Sequence, residues 1–182
     1  MTSGWAGDVL EFWFQENTPE QWFKKDDAFD RAIRDRFMGL YERVAAASPE
    51  SLLADAATAR AAVIVLDQFP RNMFRGQPRA FATDSKALAL ADGALARGFD
   101  AGLSTNERMF LYLPFEHCED RAAQARCVAL TASLGDDDLL KWAKAHQAII
   151  ERFGRFPHRN ATLGRASTAE EEEFLKQPGS SF

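Results

Sequence analysis

The sequence predicts an all-α protein of about seven or more helices, and two observations carry this prediction. Apolar residues recur every three or four positions through most of the 182 residues, the spacing that places them on one face of an α-helix. No segment alternates apolar and polar residues as a half-buried β-strand does. We therefore expect a single all-helical domain over residues 1–182, built as a bundle or as an array of helical hairpins.

The first third of the chain contains two short helices and one long one. Asp8 is expected to cap a first helix that carries the aromatic residues before Gln15, and Thr18 with Gln21 forms a capping box for the second. Residues 27–47 place apolar side chains on one face and charged side chains on the other, which predicts a long amphipathic helix.

The next helix is predicted from Ser51 to Gln68 and is almost wholly apolar in its last two turns, so we expect it to be buried. Pro70 disfavours helical backbone at Phe69 and is expected to end this helix there.

Further helices are predicted over most of the remaining chain. Pro114 either kinks the helix before it or begins the next one. Gly98 and Gly154 suit the left-handed position that follows a helix. These helices run from Thr83 or Asp84 to Arg97, from Thr105 to Leu113, from Pro114 to Ser133, from Asp136 to Arg152, and onward from Ser167 and Thr168.

Composition excludes several classes of protein. The 22 basic and 27 acidic residues leave a net charge of −5, which is against nucleic-acid binding. No apolar stretch is long enough to span a bilayer, and the first residues do not resemble a signal peptide. With two cysteines and no export signal, we expect a cytoplasmic protein with neither a membrane nor a nucleic acid as its partner.

Two arginine-rich loops stand out because they are locally basic in a protein whose net charge is negative. Phe69-Pro70-Arg71-Asn72 recurs as Phe156-Pro157-His158-Arg159-Asn160, each copy after a long helix, and acids are absent from residues 68–83 and 152–169. Arginines here could simply bind the carbonyl groups at helix ends. If the loops meet, they could instead bind an anion, and the expected ligand-binding residues are then Arg71, Asn72, Gln124, Arg155, His158, Arg159 and Asn160.

Four residues are candidates for acid–base catalysis: His117, Asp120, His146 and Asp67. Asp67 ends an apolar helix, where a carboxylate requires a cation nearby. His146 lies among apolar positions of its helix, where most histidines are satisfied core residues. His117, Asp120 and Gln124 would share one face of a continuous helix, either as a catalytic group or as a polar network that fixes helix register.

No signature of a cofactor or metal site is found in the sequence. It contains no phosphate-binding loop, no dinucleotide fingerprint, and no zinc-protease or serine-hydrolase motif. The spacing of Cys118 and Cys127 matches no zinc module. We therefore expect neither a cofactor nor a metal.

Several motifs of the sequence together carry a family resemblance. They are Val9–Phe14, Leu66–Asn72, Leu113–Asp120, Arg152–Asn160, Leu163–Thr168 and the terminal Phe182. Through them the chain resembles an uncharacterised bacterial family, domain-of-unknown-function family 924. The resemblance covers essentially the whole chain and implies a fold similar to the antiparallel helical hairpins of tetratricopeptide-repeat proteins. Cys118 occupies a position at which the family typically has serine, which is against a nucleophile there.

Two functions remain open after the resemblance, because the family brings no established reaction or ligand. The first is a helical binding module whose Arg, His and Asn side chains take up an anionic small molecule or an acidic peptide. The second is a cytoplasmic hydrolase or lyase-type enzyme in which Asp and His side chains supply acid–base chemistry. RNA binding through the arginine loops is a weaker third alternative, because the net charge is against it.

Overall fold

The computed structural model describes residues 4–181, so Phe182 of the family motifs lies outside the described residues. Within this range the protein is all-α, without strands. A π-helical turn, Phe12–Glu16, continues α1, and Pro78–Phe81 and Pro157–Arg159 are short 3-10 helices. The α-helices are α1 (Trp5–Glu11), α2 (Pro19–Phe23), α3 (Asp27–Ala46), α4 (Pro49–Leu52), α5 (Ala56–Asp67), α6 (Phe69–Met73), α7 (Asp84–Ala96), α8 (Thr105–Glu116), α9 (Arg121–Ala132), α10 (Asp137–Phe153) and α11 (Ala169–Leu175).

The prediction of an all-α fold with seven or more helices is confirmed. The hairpin array of tetratricopeptide proteins and the single domain stay predictions. Across residues 4–181, each helix is too short or too polar to cross a bilayer.

The chain divides into two compact units. Unit 1 comprises the described residues up to Arg75 together with Arg79–Pro114, and unit 2 comprises Gly76–Pro78 and the residues from Phe115 onward.

Helix α5 is the centre of unit 1. It packs against α1, α3 and α7, and its residues from Ala61 to Leu66 have no exposed surface. The aromatic rings of Trp13, Phe37 and Phe69 pack nearby, Trp13 and Phe69 with their centroids 5.6 Å apart. This burial confirms the expectation that the apolar helix lies in the core.

Unit 2 is built on the pairing of α9 with α10. Ile149, Ile150 and Phe156 form a small core, against which Phe153 and Phe174 also pack.

Most of the helix ends predicted from capping residues are confirmed. Thr18 and Thr168 each form a capping box, and Asp136 accepts hydrogen bonds from the first backbone N–H groups of α10. Gly98 and Gly154 have positive φ angles of 67° and 69°, which glycine adopts without a steric penalty.

Two helix predictions are wrong. Asp8 lies inside α1, which begins at Trp5. The helix predicted from Ser51 is two helices, because the chain leaves helical geometry after Leu52 and Asp55 caps a new start.

The buried helix does end just before Pro70, because α5 stops at Asp67. The short helix α6 that follows was not predicted. Pro70 occupies its first turn, where the missing N–H of proline costs no hydrogen bond.

The prediction of a continuous helix from Pro114 to Ser133 is also wrong. Pro114 lies inside α8, which ends at Glu116, and α9 begins only at Arg121. The turn between them carries His117 and Asp120, so these residues and Gln124 do not lie on one face of a single helix.

Candidate functional site

Six arginines of the two acid-free loops form ion pairs with carboxylates brought in by other elements. Arg71 binds Asp84 through two hydrogen bonds of 2.8 and 3.0 Å, and Arg155 binds Glu171 through two of 2.7 and 2.8 Å. The other pairs are Arg75–Asp30, Arg79–Glu42, Arg152–Glu170 and Arg165–Glu119. These side chains therefore hold each unit together, and a ligand that used one of them would compete with an internal carboxylate.

Asp67 has the nearby cation that its position requires. Its Oδ1 lies 3.4 Å from Nη1 of Arg71, and Gln68 donates to Oδ2 at 2.6 Å. The carboxylate has no exposed surface. This is the geometry of a buried pair that joins the end of α5 to the short helix α6 within unit 1.

The two asparagines of the repeated motif also serve their own units. Asn72 donates to Asp30 at 2.8 Å in unit 1. Asn160 donates to Ser167 at 3.0 Å and to Glu171 at 3.3 Å in unit 2. That the two loops meet over one pocket stays a prediction.

Unit 2 brings together all three histidines of the chain. The ring centroid of His146 lies 6.5 Å from that of His117 and 5.7 Å from that of Phe156. The ring of His158 lies 5.6 Å from Phe156, and the guanidinium of Arg159 lies 4.6 Å from the same ring centroid. We call His117, His146, His158 and Arg159 the imidazole cluster; its centre is the fully buried ring of Phe156.

His146 is oriented by its own helix. Its Nδ1 lies 2.9 Å from the carbonyl oxygen of Trp142 and 3.4 Å from Oε1 of Glu116. A carbonyl oxygen can only accept, so Nδ1 carries the proton and Nε2 presents a lone pair. Burial lowers the pKa of His146 to about 3, and the imidazole is therefore neutral at pH 7.

His158 and Arg159 give the cluster its electrostatic character. Burial, and then the adjacent charge of Arg159, lower the pKa of His158 to about 4. Arg159 is itself buried, only 7% exposed. The cluster thus holds the permanent positive charge of Arg159 beside His146 and His158, which are both neutral at pH 7.

The turn between α8 and α9 supports the cluster. Gln124, which has no exposed surface, donates through Nε2 to the carbonyl oxygens of Glu116 and Cys118 at 2.6 and 2.8 Å. Asp120 accepts from the backbone N–H of Ala123 and caps α9. Both predicted site residues therefore have a clear structural task, and Asp120 is exposed.

Glu119, which was not predicted as a site residue, connects the turn to the second arginine loop. It accepts two hydrogen bonds from Arg165, of 2.7 and 2.9 Å, and one from the backbone N–H of Phe156 at 2.7 Å. Burial opposes the ionised form, but these hydrogen bonds prevail and lower the pKa of Glu119. The only signal in the sequence is the proximity of Glu119 to His117.

The described residues provide no metal site: nowhere in 4–181 do three His, Cys, Asp or Glu side chains come together as ligands. Cys127 lies 3.9 Å from Oε2 of Glu116, and burial raises the pKa of its thiol to about 12. A thiol with this pKa is a poor nucleophile at neutral pH.

Comparison with known proteins identifies the family. A bacterial protein family of unknown function, DUF924, matches residues 9–179. The chain belongs to this family. The DUF924 match includes every residue of the imidazole cluster and both arginine loops.

A solved structure supports the DUF924 fold. The "Structure of Protein of Unknown Function ATU0120 from Agrobacterium tumefaciens" is 44% identical to this chain and superposes with a TM-score of 0.89. The alignment covers 94% of this chain and 96% of that one. No curated protein matches the sequence.

Proposed function

We propose that this protein is a helical binding module whose imidazole cluster takes up a small anion. The observation that carries the proposal is the gathering of all three histidines beside the buried guanidinium of Arg159 in unit 2. A guanidinium and a protonated imidazole are hydrogen-bond donors of the kind that bind phosphate or carboxylate oxygens.

The proposal narrows the ligand-binding set expected from the sequence. Arg71, Arg155, Asn72 and Asn160 each bind a carboxylate of their own unit, and we assign them a structural role. We assign recognition to the imidazole cluster because it gathers three imidazoles and one guanidinium about the ring of Phe156. A small molecule with a phosphate or carboxylate group fits this set better than an extended acidic peptide.

Binding of an anion is coupled to proton uptake in this proposal. The low pKa values of His146 and His158 arise first from burial and then from nearby positive groups. A bound anion would oppose both effects and raise these values, so the affinity would increase as the pH falls.

Enzymatic activity is the second candidate, and one observation favours it. Nδ1 of His146 carries the proton and faces both Trp142 and Glu116, so Nε2 is the nitrogen that would accept a proton from a substrate. Turnover of a phosphoester or amide panel that His146→Asn abolishes, with phosphate binding retained, would favour the enzyme.

The two unbridged cysteines are compatible with a reducing compartment, and we place the protein in the cytoplasm as part of the same proposal.

Calorimetric titration with inorganic phosphate tests the binding module. We expect Arg159→Gln and His158→Gln to weaken phosphate binding by about tenfold each, the usual size for a hydrogen bond to a charged group. Arg152→Gln is the matched control, because Arg152 is an exposed arginine of the same loop paired with Glu170. Circular dichroism verifies that each variant is folded. Absence of phosphate or citrate binding to the native protein at millimolar concentration would overturn the proposal.

A further inference from the structure

Unit 1 contains a cleft of about 340 Å³ whose lining includes no residue of the imidazole cluster. Its lining comes from α1, the π-helical turn, α5 and α8, all within unit 1. The volume lies at the lower end of the range for small-molecule sites, roughly 300–1,000 Å³. Short π-helical segments occur frequently at functional sites.

Arg60 is the unusual residue of this cleft. It is the only charged residue between Ala56 and Leu66 in the otherwise apolar α5, and its side chain is 12% exposed. Nη1 lies 3.0 Å from Oε1 of Glu107, and the guanidinium lies 5.9 Å from the ring centroid of Phe14.

Glu107 does not satisfy the whole guanidinium. Nε of Arg60 is buried without an acceptor among the described residues. Burial lowers the pKa of Arg60 although Glu107 opposes the shift, so a further negative group beside the guanidinium would stabilise its charged form. Glu107 also accepts hydrogen bonds from Ser104, which divides its charge between two donors.

Negative charge, opposite to that of Arg60, is provided by two carboxylates of α1. Asp8 and Glu11 are three residues apart, which places both carboxylates on one side of the helix, and both are exposed. Leu10 and Phe14 provide apolar surface in the same cleft. The lining therefore combines one incompletely satisfied guanidinium, two exposed carboxylates and an apolar wall.

We propose that this cleft binds a small zwitterion of the amino-acid class. Its carboxylate would bind Arg60, its ammonium group would lie against Asp8 and Glu11, and its apolar side chain would contact Leu10 and Phe14. A simple anion would be repelled by Asp8 and Glu11, and a simple cation would be repelled by Arg60. Ligands that carry only one sign of charge are therefore disfavoured.

Calorimetric titration of the full chain with L-leucine and two close analogues tests the proposal. L-leucinamide lacks the carboxylate, and 4-methylpentanoate lacks the amino group. We expect L-leucine to bind and each analogue to bind about tenfold more weakly, because each loses one hydrogen bond between charged groups. If L-leucinamide bound as tightly as L-leucine, Arg60 would not be the group that binds the carboxylate. If L-leucine did not bind at millimolar concentration, the proposal would be overturned.

Two variants locate the binding in this cleft. Glu11→Gln is expected to weaken L-leucine binding about tenfold, and Arg60→Lys to weaken it as well, because an ammonium group cannot form the planar paired contact. Glu50→Gln is the control, since Glu50 is an exposed acid of α4 and does not line the cleft. Equal affinity of the Glu11→Gln and Glu50→Gln proteins would contradict the assignment. Phosphate binding is tested on histidine variants of unit 2, so either proposal can fail without the other.

Discussion

Nδ1 of His146 lies 2.9 Å from the carbonyl oxygen of Trp142, one helical turn earlier in α10. This contact assigns the proton to Nδ1 and leaves Nε2 unprotonated. We expect ¹⁵N NMR to show this tautomer as the dominant form at pH 7. The ring should remain neutral down to about pH 4, because burial lowers the pKa of His146 to about 3. A protonated Nε2 at neutral pH would contradict the orientation.

Acid should destabilise the fold through two of the histidines. The pKa values of His146 and His158 are about 3 and about 4 in the folded protein, and about 6.5 is usual in an unfolded chain. The unfolded chain therefore binds more protons below pH 6.5, and the free energy of unfolding falls as the pH falls from 6.5 toward 4. We expect a loss of about 4 kcal/mol between pH 7 and pH 5, about 2 kcal/mol from each histidine, measured by urea denaturation.

His146→Leu provides the control for this pH dependence. This substitution removes the contribution of His146 to the pH dependence of the free energy of unfolding and leaves the contribution of His158. A free energy of unfolding that stays constant between pH 7 and pH 5 in the native protein would contradict the low pKa values.

The ion pairs around the second arginine loop should differ in their contribution to stability. Glu171 is 2% exposed, forms two hydrogen bonds with Arg155, and has its pKa lowered to about 2 chiefly by that partner. We expect Glu171→Gln to lower the free energy of unfolding by about 1–3 kcal/mol, because the half-buried Arg155 and the buried Asn160 both lose their charged acceptor. Glu170→Gln changes the exposed partner of Arg152 and should cost about 0.5 kcal/mol or less. Equal losses in the two variants, measured by chemical denaturation, would show that burial does not set the strength of these pairs.

Gln124 tests whether the α8–α9 turn is structural. Its Nε2 donates to the carbonyl oxygens of Glu116 and Cys118. Glu116 is the last residue of α8, and Cys118 lies in the turn that follows. We expect Gln124→Met to lower the free energy of unfolding by about 2 kcal/mol, because two buried acceptors lose their donor. Unchanged stability together with weakened phosphate binding would instead support the ligand-binding role expected from the sequence.

Much of the fold could be predicted from local signals. Thr18, Asp136 and Thr168 cap helices where the sequence indicated, because a cap depends only on residues within one turn. The break at Asp55 was missed because the apolar run that follows it continues the helical spacing of the preceding residues. Pro70 marks the end of α5 as predicted, and α6 was missed because a proline that ends one helix can also lie in the first turn of the next.

The candidate site was only partly predictable, because its contacts join distant parts of the chain. The acid-free loops suggested unpaired arginines, yet Arg75 binds Asp30 and Arg165 binds Glu119, across 45 and 46 residues. No spacing rule connects such residues in a single sequence. His146 stood out because it interrupts an apolar face, and Arg60 carried the same signal within α5 but was overlooked.

NMR titration of the histidine ring signals with inorganic phosphate tests the central claim most directly. The chain has three histidines and all of them lie in the imidazole cluster, so every ring signal reports on the candidate site. We expect the His146 and His158 signals to shift together with one dissociation constant, and more strongly at pH 6 than at pH 8. Ring signals that stay unchanged at saturating phosphate would contradict anion binding at this cluster.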